Sequence, residues 1–120
     1  MNLNDCLNAI IDDGIEAARA DYAKPHQADK REGSVKGFED CRGKAPDEIA
    51  RLLIEANERA WQAMREQASD YWYWRCRAAE IEWVANVLSN IMHAQGWPPI
   101  SMMTARGAMK AAEIIGVAQR

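Results

Sequence analysis

The stretch YWYWRCRAAEIEWVANVLSNIMHAQG, residues 71–96, decides the fold. Apolar residues recur in it at spacings of three and four, which predicts one long α-helix from about Tyr71 to His93. Asp70 is a suitable N-cap before this helix, and Gly96 is typical of the position that follows a helix end. Because apolar residues cover most of its circumference, other helices or subunits must cover it from several sides. We therefore predict a mostly α, small helical domain with one long central Trp-rich helix, forming an oligomer.

The rest of the chain carries two further helical patterns and one final, shorter one. Apolar residues recur at helical spacing from about residue 2 to 22, and the proline at position 25 ends that pattern. A second pattern starts at Pro46, which suits a first helical turn, and runs to about Ser69. Residues 102–115 have the pattern of a shorter helix. Residues 24–46 hold two prolines, three glycines and many charges, so we expect an irregular Gly- and Arg-containing segment with at most one helical turn near residues 36–41.

Length and composition exclude several classes of protein. A chain of 120 residues, 48% hydrophobic and 28% charged, is typical of a single globular domain, here residues 1–120. The net charge of −3 argues against a protein that coats a nucleic-acid polymer, since such affinity requires an excess of cations. The three cysteines form no CxxC pair, which indicates neither a disulfide framework nor a metal site. With no signal-peptide pattern and no apolar run of about 20 residues, we expect a cytoplasmic protein without membrane contacts.

One side of the long helix carries polar residues at spacings of three and four, namely Glu82, Asn86, Ser89, Asn90 and His93. Asparagine is a poor residue for a helix interior, so Asn86 and Asn90 beside Trp83 indicate amides retained for hydrogen bonding. Such amides suit an adenine edge or a ribose hydroxyl, whereas a solvated face is the plainer interpretation. We expect most of the aromatic rings to be core or subunit contacts, with one or two available to stack on a nucleobase.

Glycines and cations alternate in GSVKGFEDCRGK, residues 33–44. Backbone N–H groups and cations in such a segment suit phosphate oxygens, with Arg31 and Arg42 as bidentate donors and Lys36 as a point charge. The segment is not an NTPase P-loop, because it has one residue too many between its glycines and lacks the required Ser or Thr. A plain charged loop is the alternative.

The stretch TARGAMKAAEIIG, residues 104–116, places Thr104 and Arg106 at the start of the last predicted helix. Free N–H groups and an arginine there form an anion site, although a surface arginine is an equal alternative. Catalytic patterns are few: the two histidines lack an HxxxH or HExxH neighbour, and no GxSxG stretch occurs. We predict a binding protein, without a cofactor, and not an enzyme.

Taken together, GSVKGFEDCRGK, YWYWRCRAAEIEWVANVLSN and TARGAMKAAEIIG, with IIDDGIEAARADY near the start, resemble the phage anti-Thoeris sponge family. The resemblance extends over nearly the whole chain. Members of that family are small phage proteins that block the bacterial Thoeris defence, in which a TIR enzyme makes a cyclic ADP-ribose isomer. They bind this signal without degrading it, as dimers or higher oligomers, and some also hold cyclic oligonucleotides.

The resemblance implies a glycocyclic ADP-ribose as ligand, bound in the cytoplasm of the bacterial host. It implies that Arg106 contacts the pyrophosphate, Asn86 or Asn90 the ribose or base, and Phe38 or Trp83 the adenine ring. The expected set of ligand contacts is completed by Arg31, Lys36, Cys41, Arg42 and Thr104. Three alternatives stay open: a helical interaction protein that inhibits a host protein directly, an enzyme that degrades the nucleotide, and a helix-turn-helix regulator, which the acidic net charge disfavours.

Overall fold

The computed structural model describes residues 3–94, which form four α-helices and one short 3-10 helix without any strand. The elements are α1 (Leu3–Asp21), the 3-10 helix Pro25–Gln27, α2 (Ala28–Asp40), α3 (Pro46–Arg65) and α4 (Tyr71–Ala94). The prediction of a mostly α protein is thereby confirmed. No helix in this part of the chain is long and apolar enough to cross a membrane. The helix expected over residues 102–115 lies outside the described residues.

Helix α3 ends earlier than its sequence pattern indicated, at Arg65 and not near Ser69. The stop is a Schellman arrangement, in which the backbone N–H of Gln67 bonds to Met64 O at 3.2 Å and that of Ala68 to Ala63 O at 2.9 Å. Gln67 adopts the left-handed conformation with φ of 52°. Glycine is the usual residue at that position, so a glutamine there does not mark the helix end in the sequence.

The expectation of an irregular segment before Pro46 is wrong, because α2 occupies most of it. The small residues Gly33, Ser34 and Gly37 recur at helical spacing and are buried. A Cβ atom at Gly33 would overlap the carbonyl oxygen of Tyr73, and one at Gly37 would lie 2.5 Å from Arg77 O. The glycines therefore allow the backbones of α2 and α4 to touch, at a cost in helix propensity of about 1 kcal/mol each.

The core-facing side of α4 consists of small and aliphatic residues and not of its tryptophans. The buried side chains among residues 71–90 of this helix are Cys76, Ala78, Ile81, Val84, Ala85, Leu88 and Ser89. Trp72 is 51% exposed and Trp83 is 45% exposed. These two rings are therefore not core residues, and they present apolar surface outside the packed helices.

Two polar contacts join α2 to α4 beside the glycines. Arg77 Nε donates to Asp40 Oδ2 at 2.5 Å, and Ser34 Oγ donates to Glu80 Oε1 at 3.4 Å. Burial alone would lower the pKa of Arg77, but the hydrogen bond and charge of Asp40 raise it above its usual value. The α2–α4 contact thus combines close backbone packing with partnered polar groups.

Candidate ligand-binding grooves

Two surface grooves flank α4, one lined by the exposed Trp61 and the other by the exposed Trp83. The α3–α4 groove has a volume of about 270 Å³ and is lined by Asn57, Ala60, Trp61, Met64, Tyr71, Arg75 and Glu82. The acidic groove, between α1, α2 and α4, has a volume of about 360 Å³ and is lined by Asp13, Gly14, Ala17, Ala18, Asp21, Tyr22, Phe38, Glu80 and Trp83. Both are near the lower end of the size range of small-molecule sites.

The acidic groove brings together the two aromatic residues that the sequence singled out. The rings of Phe38 and Trp83 pack edge to face, with centroids 5.8 Å apart and planes at 82°. Phe38 is only 4% exposed, whereas Trp83 is 45% exposed. Of this pair, Trp83 therefore provides the surface that a planar ligand would contact, and Phe38 supports it from the core.

The charge of the acidic groove opposes an anionic ligand. Its lining includes Asp13, Asp21 and Glu80, and none of its described lining residues is basic. Burial raises the pKa of Glu80, the Ser34 hydroxyl partly offsets this, and the negative charge of Asp21 adds to the rise. A pyrophosphate beside Trp83 would need cations from elsewhere to overcome these carboxylates.

The three cations expected to form a phosphate site with the glycines are held apart by separate partners. Arg31 Nη1 donates to Tyr22 O at 2.6 Å, Arg42 Nη2 lies 2.6 Å from Asp12 Oδ1, and Lys36 Nζ lies 3.8 Å from Asp40 Oδ1. Since Gly33 and Gly37 are buried in the contact between α2 and α4, their N–H groups form no phosphate cradle with these cations. The described residues thus do not assemble the expected phosphate site.

Cys41, which we expected among the ligand contacts, lies inside the core. Its side chain is 0% exposed, and its Sγ donates to Gly37 O at 3.5 Å. Burial raises the pKa of this thiol to about 12, with a smaller contribution from the charge of Asp40. A neutral, enclosed thiol presents no surface to a ligand in this conformation.

The polar side of α4 extends from the α3–α4 groove. Glu82 lines that groove, while Asn86 is half-buried one turn further along and Asn90 is exposed. Neither asparagine is among the lining residues of the two grooves. The remaining expected contacts, Thr104 and Arg106, lie outside the described residues.

Sequence reasoning missed the α3 side of the α3–α4 groove. Asn57, Trp61 and Met64 follow one another at helical spacing, a signal that was available. They meet Tyr71 and Arg75 because α3 and α4 form an antiparallel pair joined by residues 66–70. The spacing of these residues within α3 does not predict which residues of α4 they face.

No group of three or more His, Cys, Asp or Glu side chains in residues 3–94 is arranged to hold a metal ion. Comparison with known proteins gives no match to a family, a curated protein or a solved structure.

Proposed function

We propose that this protein is a phage-encoded inhibitor of bacterial immunity that binds a cyclic nucleotide signal and sequesters it without degrading it. The proposed signal is a glycocyclic ADP-ribose made by TIR enzymes, and cyclic oligonucleotides are further candidates. The protein would act in the cytoplasm of the bacterial host as a homodimer or higher homo-oligomer. In this proposal Arg106 and Thr104 contact the pyrophosphate, and Asn86 and Asn90 contact ribose or base.

The observation that carries the proposal is the open α3–α4 groove, in which an aromatic ring remains accessible beside polar side chains. Trp61 is 58% exposed and lies in this groove with Asn57, Arg75 and Glu82. Accessible aromatic faces beside hydrogen-bonding groups suit a nucleobase and its ribose.

A second observation supports the proposal through the stretches that carry the family resemblance. Residues 33–44 include most of the buried face of α2, and residues 71–90 form most of α4. Gly33 lies against Tyr73, and Gly37 lies against Arg77. The two stretches thus form one packed unit, so the residues that carry the resemblance lie together in this fold.

The decisive test identifies what the protein retains. The protein is incubated with the product mixture of an active TIR enzyme, washed by filtration and denatured by heat, and the released compound is identified by mass spectrometry. We expect an intact cyclic ADP-ribose isomer, absent when the TIR enzyme is catalytically inactive. An empty protein would overturn the proposal, and release of a linear nucleotide would show an enzyme instead.

A helical interaction protein that inhibits a host protein directly is the second candidate. The exposed Trp61, Met64 and Trp72 side chains favour it, since exposed aromatic and methionine side chains are typical of interface centres. A tryptophan fluorescence shift on adding a purified TIR enzyme or its effector, with none on adding nucleotide, would support this candidate over sequestration.

A further inference from the structure

We propose that the α3–α4 groove binds one nucleoside phosphate unit. The base of this unit stacks on Trp61, its phosphate accepts hydrogen bonds from Arg75, and one of its hydroxyl or amine groups donates to the carboxylate of Glu82. This assignment rests on the proposed function, since it names the part of the signal that the groove recognises. It places an anion contact on Arg75, which neither the sequence patterns nor the family resemblance singled out.

Trp61 has the ring that is available for stacking. Among the tryptophans of residues 3–94, Trp72 has the Lys30 ammonium 4.5 Å from its ring centroid, and Trp74 has the Arg77 guanidinium at 4.8 Å. Trp83 packs on Phe38. Trp61 alone of these four has no cation or ring partner among the described residues, and it is the most exposed at 58%. A base that stacks on it displaces no existing contact.

Arg75 is the matching anion contact. It is exposed and lines the groove, and it forms no ion pair or hydrogen bond with a described residue. Arg42 and Arg77, by contrast, each donate to an aspartate. A guanidinium whose N–H groups are not already bonded to a carboxylate can donate two parallel hydrogen bonds to a phosphate.

Glu82 fixes the other end of the ligand. It stands seven residues after Arg75 on α4, about 10 Å along the helix axis, which is the length scale from a phosphate across ribose to a base. Its carboxylate can accept from a ribose hydroxyl or an exocyclic amine. Burial raises the pKa of Glu82 above its usual value, and the positive charge of Arg75 offsets part of this rise. The direction is that of a carboxyl group partly removed from water.

Size and charge limit what the groove can hold. A volume of about 270 Å³ lies just below the usual range for sites that enclose a complete ligand. It therefore takes one nucleoside phosphate unit, and the rest of a cyclic signal extends beyond it. The acidic groove offers no such option, since its described charged lining residues are all carboxylates.

The test measures binding of adenosine 5′-monophosphate by calorimetry to the wild type and to W61L, R75Q and E82Q. We expect W61L and R75Q each to weaken binding by about tenfold, since stacking and charge-assisted hydrogen bonds are each of that order. The wild type should bind adenosine more weakly than adenosine 5′-monophosphate. R75Q should bind the two ligands with equal affinity. The controls R51Q and W72L remove an exposed arginine and an exposed tryptophan outside the groove and should bind like the wild type.

Equal binding of the phosphate by the wild type and R75Q, or none by the wild type, would overturn the groove assignment. The ligand-retention experiment, repeated with W61L and R75Q, separates this failure from that of the proposed function. Variants that retain the cyclic signal as the wild type does would overturn the groove and leave sequestration standing. A wild type that retains no signal but binds the monophosphate through Arg75 would overturn sequestration alone. We expect W61L and R75Q to melt like the wild type by circular dichroism, because both replaced side chains are exposed. Matching melting curves would exclude misfolding as the cause of weaker binding.

Discussion

Helix α4 makes two very different contacts with its neighbours. Towards α2 the helices approach until glycine backbones touch, and a buried hydroxyl and an ion pair cross the contact. Towards α3 the buried small residues are alanines, and beyond Ala60 the contact opens into the α3–α4 groove. The difference shows how one helix can be held rigidly on one side while its other side keeps aromatic surface available for binding.

This division also changes the role of the glycines in residues 33–44. Alternating glycines and cations predicted a phosphate cradle in an irregular segment, but Gly33 and Gly37 are where α2 meets the backbone of α4. These two glycines are required because they lack a Cβ atom, and not because of their conformational freedom. Only Gly43, with φ of 69°, occupies a backbone region that favours glycine.

Replacing Gly33 by alanine should give the largest effect on stability. The added Cβ would overlap the carbonyl oxygen of Tyr73, and this backbone atom cannot move aside as a flexible side chain can. We expect a loss of about 3 kcal/mol in the free energy of unfolding, despite a gain of about 1 kcal/mol in helix propensity. Urea unfolding followed by circular dichroism measures the change.

The matched control adds one heavy atom on the α3 side of α4. Ala60→Ser places its hydroxyl at the margin of the α3–α4 groove, where Ala60 is a lining residue. We expect a loss below about 1 kcal/mol. Equal losses for the two variants would show that α4 packs equally tightly against α2 and against α3.

The ion pair across the α2–α4 contact should give the next largest effect. Asp40→Asn removes the charge that pairs with Arg77, and the two side chains are only 10% and 20% exposed. Leaving a partly buried guanidinium without its acid should cost about 2 kcal/mol in urea unfolding.

An exposed ion pair provides the comparison for Asp40→Asn. Asp12 and Arg42 lie 2.6 Å apart, but their side chains are 66% and 44% exposed. Solvent screens such a pair, so Asp12→Asn should cost less than about 0.5 kcal/mol. A loss as large as that of Asp40→Asn would contradict the assignment of the stabilising polar contact to the α2–α4 side.

The same contrast explains how much of the fold could be predicted. Apolar periodicity located α1, α3 and α4, because each presents large aliphatic side chains such as Ile11, Leu53 and Ile81 to the core. Helix α2 buries mainly Gly33, Ser34 and Gly37, along with Phe38. Residues that small leave almost no hydrophobic signal, so the helix was mistaken for an irregular segment.

The grooves could be predicted only in part. Trp83, Phe38 and Glu82 were singled out because they belong to stretches with a conspicuous pattern. The carboxylates of Asp13 and Asp21 come to the acidic groove from α1, and Trp61 comes to the other groove from α3. Such encounters depend on how helices pair, which the spacing of residues within one helix does not reveal.

The smallest effect we predict concerns the pH dependence of the α2–α4 contact. Because the pKa of Glu80 is raised above its ordinary value of 4.5 in the folded protein, the folded state binds more protons than the unfolded state around that pH. The stability that the protonated carboxyl contributes is present below pH 4.5 and is lost as pH rises through the raised pKa. Glu80→Gln should therefore be more stable than the wild type at pH 7, by less than about 1 kcal/mol.

Urea unfolding curves of the wild type and Glu80→Gln, recorded from about pH 4 to about pH 8, cover both sides of this titration. The glutamine carbonyl can still accept from Ser34 Oγ, so the variant changes the charge and keeps the hydrogen bond. Glu39→Gln, on the exposed side of α2, is the matched control and should leave the pH dependence of the wild type in place. A Glu80→Gln curve parallel to that of the wild type would mean that Glu80 ionises freely in the folded protein, and that the α2–α4 contact is as open to solvent at this point as the α3 side.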